Sequence, residues 1–457
     1  MNARAQTNPI AADRNLTEAL AEKNSEIQLG EVSLEACTVA KQCLLDWLGV
    51  TIAARRQPLV EILVADAFAD GAPGDACTII ARPERTAPLA AVLINGAMGH
   101  ALDFDDAHAS MGHPTAPLAP LVLAVAEQQG ASGAAALEAF IAGFETECRV
   151  GAYMGVSHYD RGWHGTSTLG AFGAAGAAAR LLALDLAQTT YAFGLAGTQA
   201  AGLKSVFGTM TKPFHPGKAA QNGLLAARLA KRGFTSASDI LGAVQGFGET
   251  QSDAPDVMGL LGAPAGGYRL PDTIFKYHAS CLLTHSSIEA CAALVAEEGV
   301  TPTAIEAVSL RVAPGHLRVC NIEAPRTGLE CKFSLRMMAA LALSGEDTSN
   351  EALFQDALAA RPDLVALRGR VTIDPTGADG TEATVTLTMK DGRRLARTID
   401  ASAPQRDLAL QQRKLEAKFR RLVTPHMGAA RADEVVAAIN TLEDAPDMRA
   451  FMKLLAA

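Results

Sequence analysis

The chain has 457 residues, of which 49% are apolar, 19% charged and 5% aromatic, and it carries a formal net charge of −9. That length exceeds one typical domain and predicts two, while the acidic balance argues against a polyanion as main partner and leaves room for a small anion held by local lysines and arginines. Eight cysteines lie scattered without CxxC pairing, residues 1–15 hold no apolar core of signal type, and no run reaches 18 apolar residues. Reduced thiols, a cytoplasmic location and no membrane span are the expectations.

Residues 1–15 read as a loose tail. From Ser33 to Ala54 apolar residues recur at three- and four-residue steps, which predicts an amphipathic helix capped by Ser33 with Glu35 in its first turn. Helical patterns follow at 58–70, 88–102, 117–128, 133–150, 166–183, 187–200, 217–232 and 236–242. Within 166–183, Gly170, Gly173 and Gly176 recur every third residue. Each glycine costs a helix about 1 kcal/mol relative to alanine, so this face predicts close contact with a second helix or with a ligand.

The texture changes after Gly267. Residues 304–314 and 367–375 read as strands, and 381–399 alternates around Asp391-Gly392, which predicts a hairpin with a type I′ turn. Helical patterns at 281–296, 331–344 and 350–360 surround these strands, and helices resume at 404–422, 430–440 and 446–456. The expected fold is therefore mainly α. A large all-helical domain is formed by both chain ends, 1–267 and 401–457, with a smaller α+β domain, 268–400, inserted as a lid.

Four constellations carry chemistry. The densest places Asp103, Asp105, Asp106, His100, His108 and His113 within fourteen residues at the mouth of an apolar helix. Three readings stand: a capping loop, a divalent-metal site built on Asp105, Asp106 and His108, or acid–base and orienting work. A second, Gly162 to Ser167, puts His164 before a helix start where Thr166 or Ser167 can cap and free N–H groups attract anions. A third, Thr209 to Lys218, brings Lys212, His215 and Lys218 into a helix beginning near Gly217. The fourth, Phe275 to His285, supplies Lys276, Tyr277, His278, Cys281 and His285. A glycine-rich phosphate loop, HExxH and GxSxG are absent, which removes nucleotide, zinc-protease and serine-hydrolase readings.

In this order the four segments resemble the MmgE/PrpD family, marked by NG…H.LDFDD……HP (Asn95–Pro114), G-[FW]-H-x-T (Gly162–Thr166), Met-x-Lys-x-x-x-x-Gly (Met210–Gly217) and K-x-x-x-x-C-x-x-x-H (Lys276–His285). The stretches Ala230–Thr235 and Lys332–Leu335 also look familial. The resemblance implies the same two-part fold, a homodimer, and a site between the domains for small di- or tricarboxylates, with no organic cofactor and no assigned metal. Its activities are 2-methylcitrate dehydration, cis-aconitate decarboxylation and iminodisuccinate epimerisation. It implies catalytic roles for Asp103, His113, His164, Lys212 and Lys276. Lys218, Arg149, His285 and Arg336 are the further residues expected to hold carboxylates. Two departures from the decarboxylase pattern stand out: Ala107 in place of a threonine, and Met337 in place of an aromatic residue. On these grounds the leading expectation is a cofactor-independent dehydratase acting on a hydroxylated tricarboxylate such as 2-methylcitrate. Epimerase and decarboxylase are the enzymatic alternatives, and a non-catalytic carboxylate-binding protein is the alternative from another class. Neither nucleic acid nor membrane is an expected partner.

Overall fold

The computed structural model describes residues 15–69, 74, 76–401 and 403–457. Of the expected tail, only Asn15 falls among them, and its side chain caps the helix Leu16–Ser25 by accepting from the Glu18 N–H.

Small residues set the helical architecture. Helix Gly165–Leu181 packs closely on both Gly133–Asp160 and Thr211–Lys231. A methyl group on Gly170 would come within 2.8 Å of Pro117, one on Gly173 within 2.8 Å of the Glu147 Cβ, and one on Gly223 within 2.5 Å of the Ala174 Cβ. The regular glycines of 166–183 thus face neighbouring helices, and they let backbones approach more closely than alanine would allow. Ser33 caps Leu34–Ala53 as expected, accepting from the Ala36 N–H.

The chain end returns to its beginning. Helix Leu408–Met427 lies along Leu34–Ala53, where Gly49 makes room for Phe419. Gln411 bonds Gln42 at 2.6 Å, and Lys418 pairs with Asp46 at 2.7 Å.

Six strands form two sheets among the described residues. β1 (Cys77–Thr78) and β2 (Arg85–Thr86) make a two-residue ladder within the helical region. β3 (Ile305–Arg311), β4 (Val371–Asp374), β5 (Ala383–Met389) and β6 (Arg394–Ile399) form a sheet of order β4-β3-β5-β6. β3 runs parallel to β4 and antiparallel to β5. β5 buries every second residue, Ala383, Val385, Leu387 and Met389, beneath helix His285–Glu298. The architecture is mainly α, as the patterning predicts.

Four local expectations are corrected. Residues 236–242 form no helix but irregular chain and turns, where Asp239 accepts from the backbone and hydroxyl of Thr17. Residues 350–360 form two short 3-10 turns, Glu351–Leu353 and Asp356–Ala360. The hairpin turn is not type I′, which needs positive φ at two residues; here Gly392 alone has it, at 88°, while the Met389 carbonyl accepts from the Gly392 N–H. That is a three-residue loop with glycine at its left-handed position. Finally, the helix expected from Gly217 starts at Thr211.

Candidate active site

Helix Pro88–His100 ends at His100, helix Thr115–Gln129 begins at Thr115, and the acid- and histidine-rich loop lies between them. Within it Asp103 has φ of +52°, in the left-handed region that a side chain makes costly. Helix Thr211–Lys231 delivers Lys212 from its first turn, and the segment before the 3-10 turn Leu282–Thr284 delivers Lys276.

These three residues meet. The Lys212 ammonium donates to Asp103 Oδ1 at 2.8 Å, and the Lys276 ammonium donates to the same oxygen at 3.0 Å and to the Asp103 carbonyl at 2.9 Å. Lys212 also donates to His100 Nε2 at 2.7 Å, so His100 Nδ1 carries the hydrogen and donates to Asp105 at 2.8 Å. His113 donates from Nδ1 to the Asp106 carbonyl at 2.7 Å, which leaves Nε2 as its free nitrogen, 3.8 Å from Asp103 Oδ1. The His113 N–H is held by Thr166 Oγ1 at 3.0 Å. That hydroxyl therefore serves His113, and the helix Gly165–Leu181 starts at His164 without a side-chain cap. His164 lies 6.3 Å from His100, ring to ring, with its Nδ1 2.9 Å from His215 Nδ1 and its ring against the edge of Phe207.

The cluster is nearly dry: Lys276 is 0% exposed, Asp103 and His164 3%, and Lys212 4%. Burial alone would raise the Asp103 pKa, but the Lys212 and Lys276 ammoniums reverse this and hold it well below the usual carboxylate range. For Lys276 burial works downward and Asp103 overcomes it, so the ammonium stays charged. His113 and His164 are driven well below 6.5 by burial and then by nearby lysine, and both are neutral rings. Behind them, burial lifts Asp106 to about 7, against the pull of its Thr115 hydrogen bond.

Each lysine has three N–H donors, and two of them are committed within the cluster. The third remains for a ligand oxygen. Asp103 Oδ2 is buried without a hydrogen-bond partner. The arrangement can therefore take a carboxylate onto fixed cations and present an imidazole nitrogen beside it.

Other expected residues lie elsewhere. The Arg149 guanidinium donates to the carbonyls of Leu260 and Gly262, both at 2.9 Å. Arg336 is bound by Asn321 at 2.6 Å and by Glu323 at 3.3 Å. Lys218 donates to Gln221 at 2.7 Å, and His285 is buried with Nε2 3.3 Å from the Ser280 carbonyl. None of these six contacts joins the cluster. Met337, fully buried, gives its N–H to the Ser334 cap. Asp105, Asp106 and His108 do not converge as a metal set, since His108 is held by Arg269 and Ser110 and Asp106 by Thr115.

His100, Asp103, Asp105 and His113 do offer donor atoms that all lie within 4.8 Å of one another. The donors are already committed, however: Asp103 Oδ1 to two ammoniums, and both His100 nitrogens to Lys212 and Asp105. A divalent cation would sit against two positive charges, so this set suits an anion better. Sequence reasoning placed His100, Asp105 and His215 in the constellations, yet gave none of them a catalytic or carboxylate-holding role and Asp105 only a metal one. The signal for the first two was present: a histidine at a helix end, five residues before an acid.

Residues 18–258 match the model of the MmgE/PrpD N-terminal domain, and residues 278–444 match that of the MmgE/PrpD C-terminal domain. The chain is similar to cis-aconitate decarboxylase of Homo sapiens, 26% identical over 461 residues that cover 97% of this chain and 95% of that protein. It is similar to cis-aconitate decarboxylase of Aspergillus terreus, 26% identical with 97% and 96% covered. A cis-aconitate decarboxylase-like protein of Aspergillus oryzae is 31% identical over 296 residues, 60% of this chain and 61% of that protein. No helix among the described residues is long and apolar enough to cross a membrane. The chain belongs to the MmgE/PrpD family, which includes lyases and dehydratases.

Proposed function

We propose that this protein is a cofactor-independent lyase that releases one carboxylate of a small unsaturated tricarboxylate of the cis-aconitate class as CO₂. The observation that carries this reading is the shared counter-ion: Asp103 Oδ1 lies between the Lys212 and Lys276 ammoniums, with the His113 ring beside it. The names of the full-length relatives support it.

Decarboxylation breaks one C–C bond and leaves its electron pair on carbon. That pair delocalises over the neighbouring double bond and carboxylate, and one proton taken up at carbon completes the step, so net one H⁺ is consumed and one CO₂ released. The residues must stabilise the growing enolate charge and supply the proton. Lys212 and Lys276 do the first, each with its remaining N–H on a carboxylate oxygen. His113 does the second. A bound carboxylate favours the imidazolium, and Nε2 is the nitrogen left facing the substrate once Nδ1 is tied to Asp106. Because the cluster is so thoroughly buried, substrate entry requires opening. The unit 268–400 is proposed as the lid, with Gly266 and Gly267, both at positive φ, as its hinge.

A second reading, dehydration of a hydroxylated tricarboxylate such as 2-methylcitrate, is favoured by the departures at Ala107 and Met337. The same cations would hold the carboxylates, a base would take the α proton, and His113 would protonate the departing hydroxyl.

Proton NMR and CO₂ trapping in D₂O with cis-aconitate, 2-methylcitrate, citrate and iminodisuccinate separate the readings. One CO₂ and one carbon-bound deuterium per cis-aconitate consumed are expected. An olefin formed from 2-methylcitrate without CO₂ moves the assignment to dehydratase. Deuterium exchange or stereoisomer conversion without an olefin moves it to epimerase.

A further inference from the structure

The Asp103 turn is held open by three lysines from three distant parts of the chain. Lys332 donates to the Leu102 carbonyl at 2.7 Å, Lys276 to the Asp103 carbonyl at 2.9 Å, and Lys418 to the Phe104 carbonyl at 2.7 Å. Three successive carbonyls thus each receive an ammonium. In the middle of the run sits Asp103, whose φ of +52° lies in the left-handed region that costs a side chain energy.

Lys418 does more than accompany this turn. Its second N–H reaches the carbonyl of Lys276 at 2.8 Å, and its third faces Asp46 at 2.7 Å. Its ammonium lies 3.8 Å from the centre of the Phe104 ring. One buried ammonium, delivered by helix Leu408–Met427, therefore joins the backbone that presents Asp103 to the backbone that presents Lys276. Two further bonds between Ala107 and Ile274, both 2.8 Å, fasten the same two segments a few residues away. Lys332 is 4% exposed, and the one described hydrogen bond of its ammonium goes to Leu102.

Burying such charges costs stability, and a carbonyl can be satisfied more cheaply by a neutral donor. Two lysines spent on backbone beside a catalytic carboxylate make sense if geometry is what they secure. We infer that Lys418 and Lys332 are positioning residues: without touching substrate, they fix the Asp103 turn and set the Asp103–Lys276 spacing on which the reaction depends. The kinetic part of this inference rests on the decarboxylase reading, whereas the geometric part does not.

The test uses the full chain. Lys418→Met alone would strand Asp46, so the informative variant is Asp46→Asn/Lys418→Met, which removes the ion pair and leaves the two carbonyls unheld. Lys332→Met is the second variant, in which no ion pair is broken. Melting temperature, kcat and KM for CO₂ release from cis-aconitate, and the ¹⁵N-edited ring resonances of the histidines are measured for each. Misplacement by about 1 Å can cost on the order of a hundredfold. Each variant is therefore expected to fold, to lose roughly ten- to a hundredfold in kcat with a smaller change in KM, and to shift the His100 and His113 resonances. Wild-type kcat with unshifted resonances in either variant overturns the role of the lysine removed. If the double variant does not fold, Lys332→Met alone decides for its own site, and Lys418→Gln replaces the double variant for the other. If the wild-type protein releases no CO₂ from cis-aconitate, the decarboxylase reading falls, and the histidine resonances still decide whether the turn has moved.

Discussion

Around Gly223, helices Gly165–Leu181 and Thr211–Lys231 meet through Ala174 and bare backbone, and hardly a polar side chain intervenes. Around Asp103 the interior is equally dry, yet it holds four ammoniums, three carboxylates and three imidazoles. The first region is stabilised by close contact and loses stability when a methyl group is added. The second is a set of desolvated charges that stabilise one another only as a set, so removing one member costs more than the pair it belonged to is worth. The contrast teaches a division of labour: the small-residue helices supply the stability that the charged loop consumes, and the loop gathers the groups proposed to carry the chemistry.

The harshest way to break this contrast is at Asp103. Asp103→Asn leaves two buried ammoniums without their shared counter-ion. Stability should fall by about 3–5 kcal/mol in denaturant titration, as for other buried pairs cut on one side, and kcat/KM should fall with it. His113→Gln sharpens the contrast, since His113 is neutral and lies at the edge of the cluster. Its kcat should drop on the order of 10²–10⁴-fold, as expected for loss of a proton-transfer group, with the melting temperature nearly unchanged. Gly223→Ala is the reverse case: overpacking should cost about 1–3 kcal/mol, while the enzyme that remains folded at low temperature keeps its kcat/KM. A Gly223→Ala enzyme with full stability would show that the helices are not closely packed there.

Two smaller effects follow from titration and from the arginines. His100 and His285, like His113 and His164, are buried as neutral rings with folded pKa values below 6.5. As pH falls through 6.5 the unfolded chain binds protons first, so the stability these rings carry above 6.5 is lost below it, and the melting temperature should decline. Asp106 has the opposite sign. Its folded pKa of about 7 lies above 3.8, so its contribution is present below 3.8 and is lost as pH rises through 7. Asp106→Asn should therefore gain in melting temperature relative to wild type as pH is raised from 4 to 8. Arg336→Ala removes a partly exposed pairing with Glu323 outside the cluster, and stability should change by about 1 kcal/mol or less with kcat/KM essentially retained. A large loss of kcat/KM would bring Arg336 back as a carboxylate ligand.

Much of this contrast was legible in the sequence. The three-residue glycine spacing announced close helix packing, Ser33 announced a helix start, and the alternation of 383–389 announced a half-buried strand. What escaped depended on distant partners. Asp239, in a stretch expected as helix, accepts from Thr17, more than two hundred residues away, and local periodicity carries no trace of that. The helix starts six residues before the expected Gly217, with Pro213 in its first turn and Pro216 inside it. Pro213 loses no intrahelical bond, because the first four N–H groups have no partner there in any case, whereas Pro216 gives up one. At the site, the motifs showed where acids, histidines and lysines were concentrated, and resemblance supplied the roles of Lys212 and Lys276. Pattern alone could not show that the Arg149 guanidinium is captured by two carbonyls, or that Lys332 and Lys418 hold backbone. Those outcomes depend on which acceptor folding brings within reach.

The central claim is that Lys212 and Lys276, held by one carboxylate, receive the carboxylates of the substrate. The direct measurement is calorimetric binding of tricarballylate, a saturated tricarboxylate that lacks the double bond decarboxylation needs, to the wild-type protein and to Lys212→Met and Lys276→Met. Charge-assisted hydrogen bonds are worth about 1.5–3 kcal/mol, so each variant should bind roughly ten- to a hundredfold more weakly. Unchanged affinity in both variants would contradict the account and place the carboxylate site elsewhere in the protein.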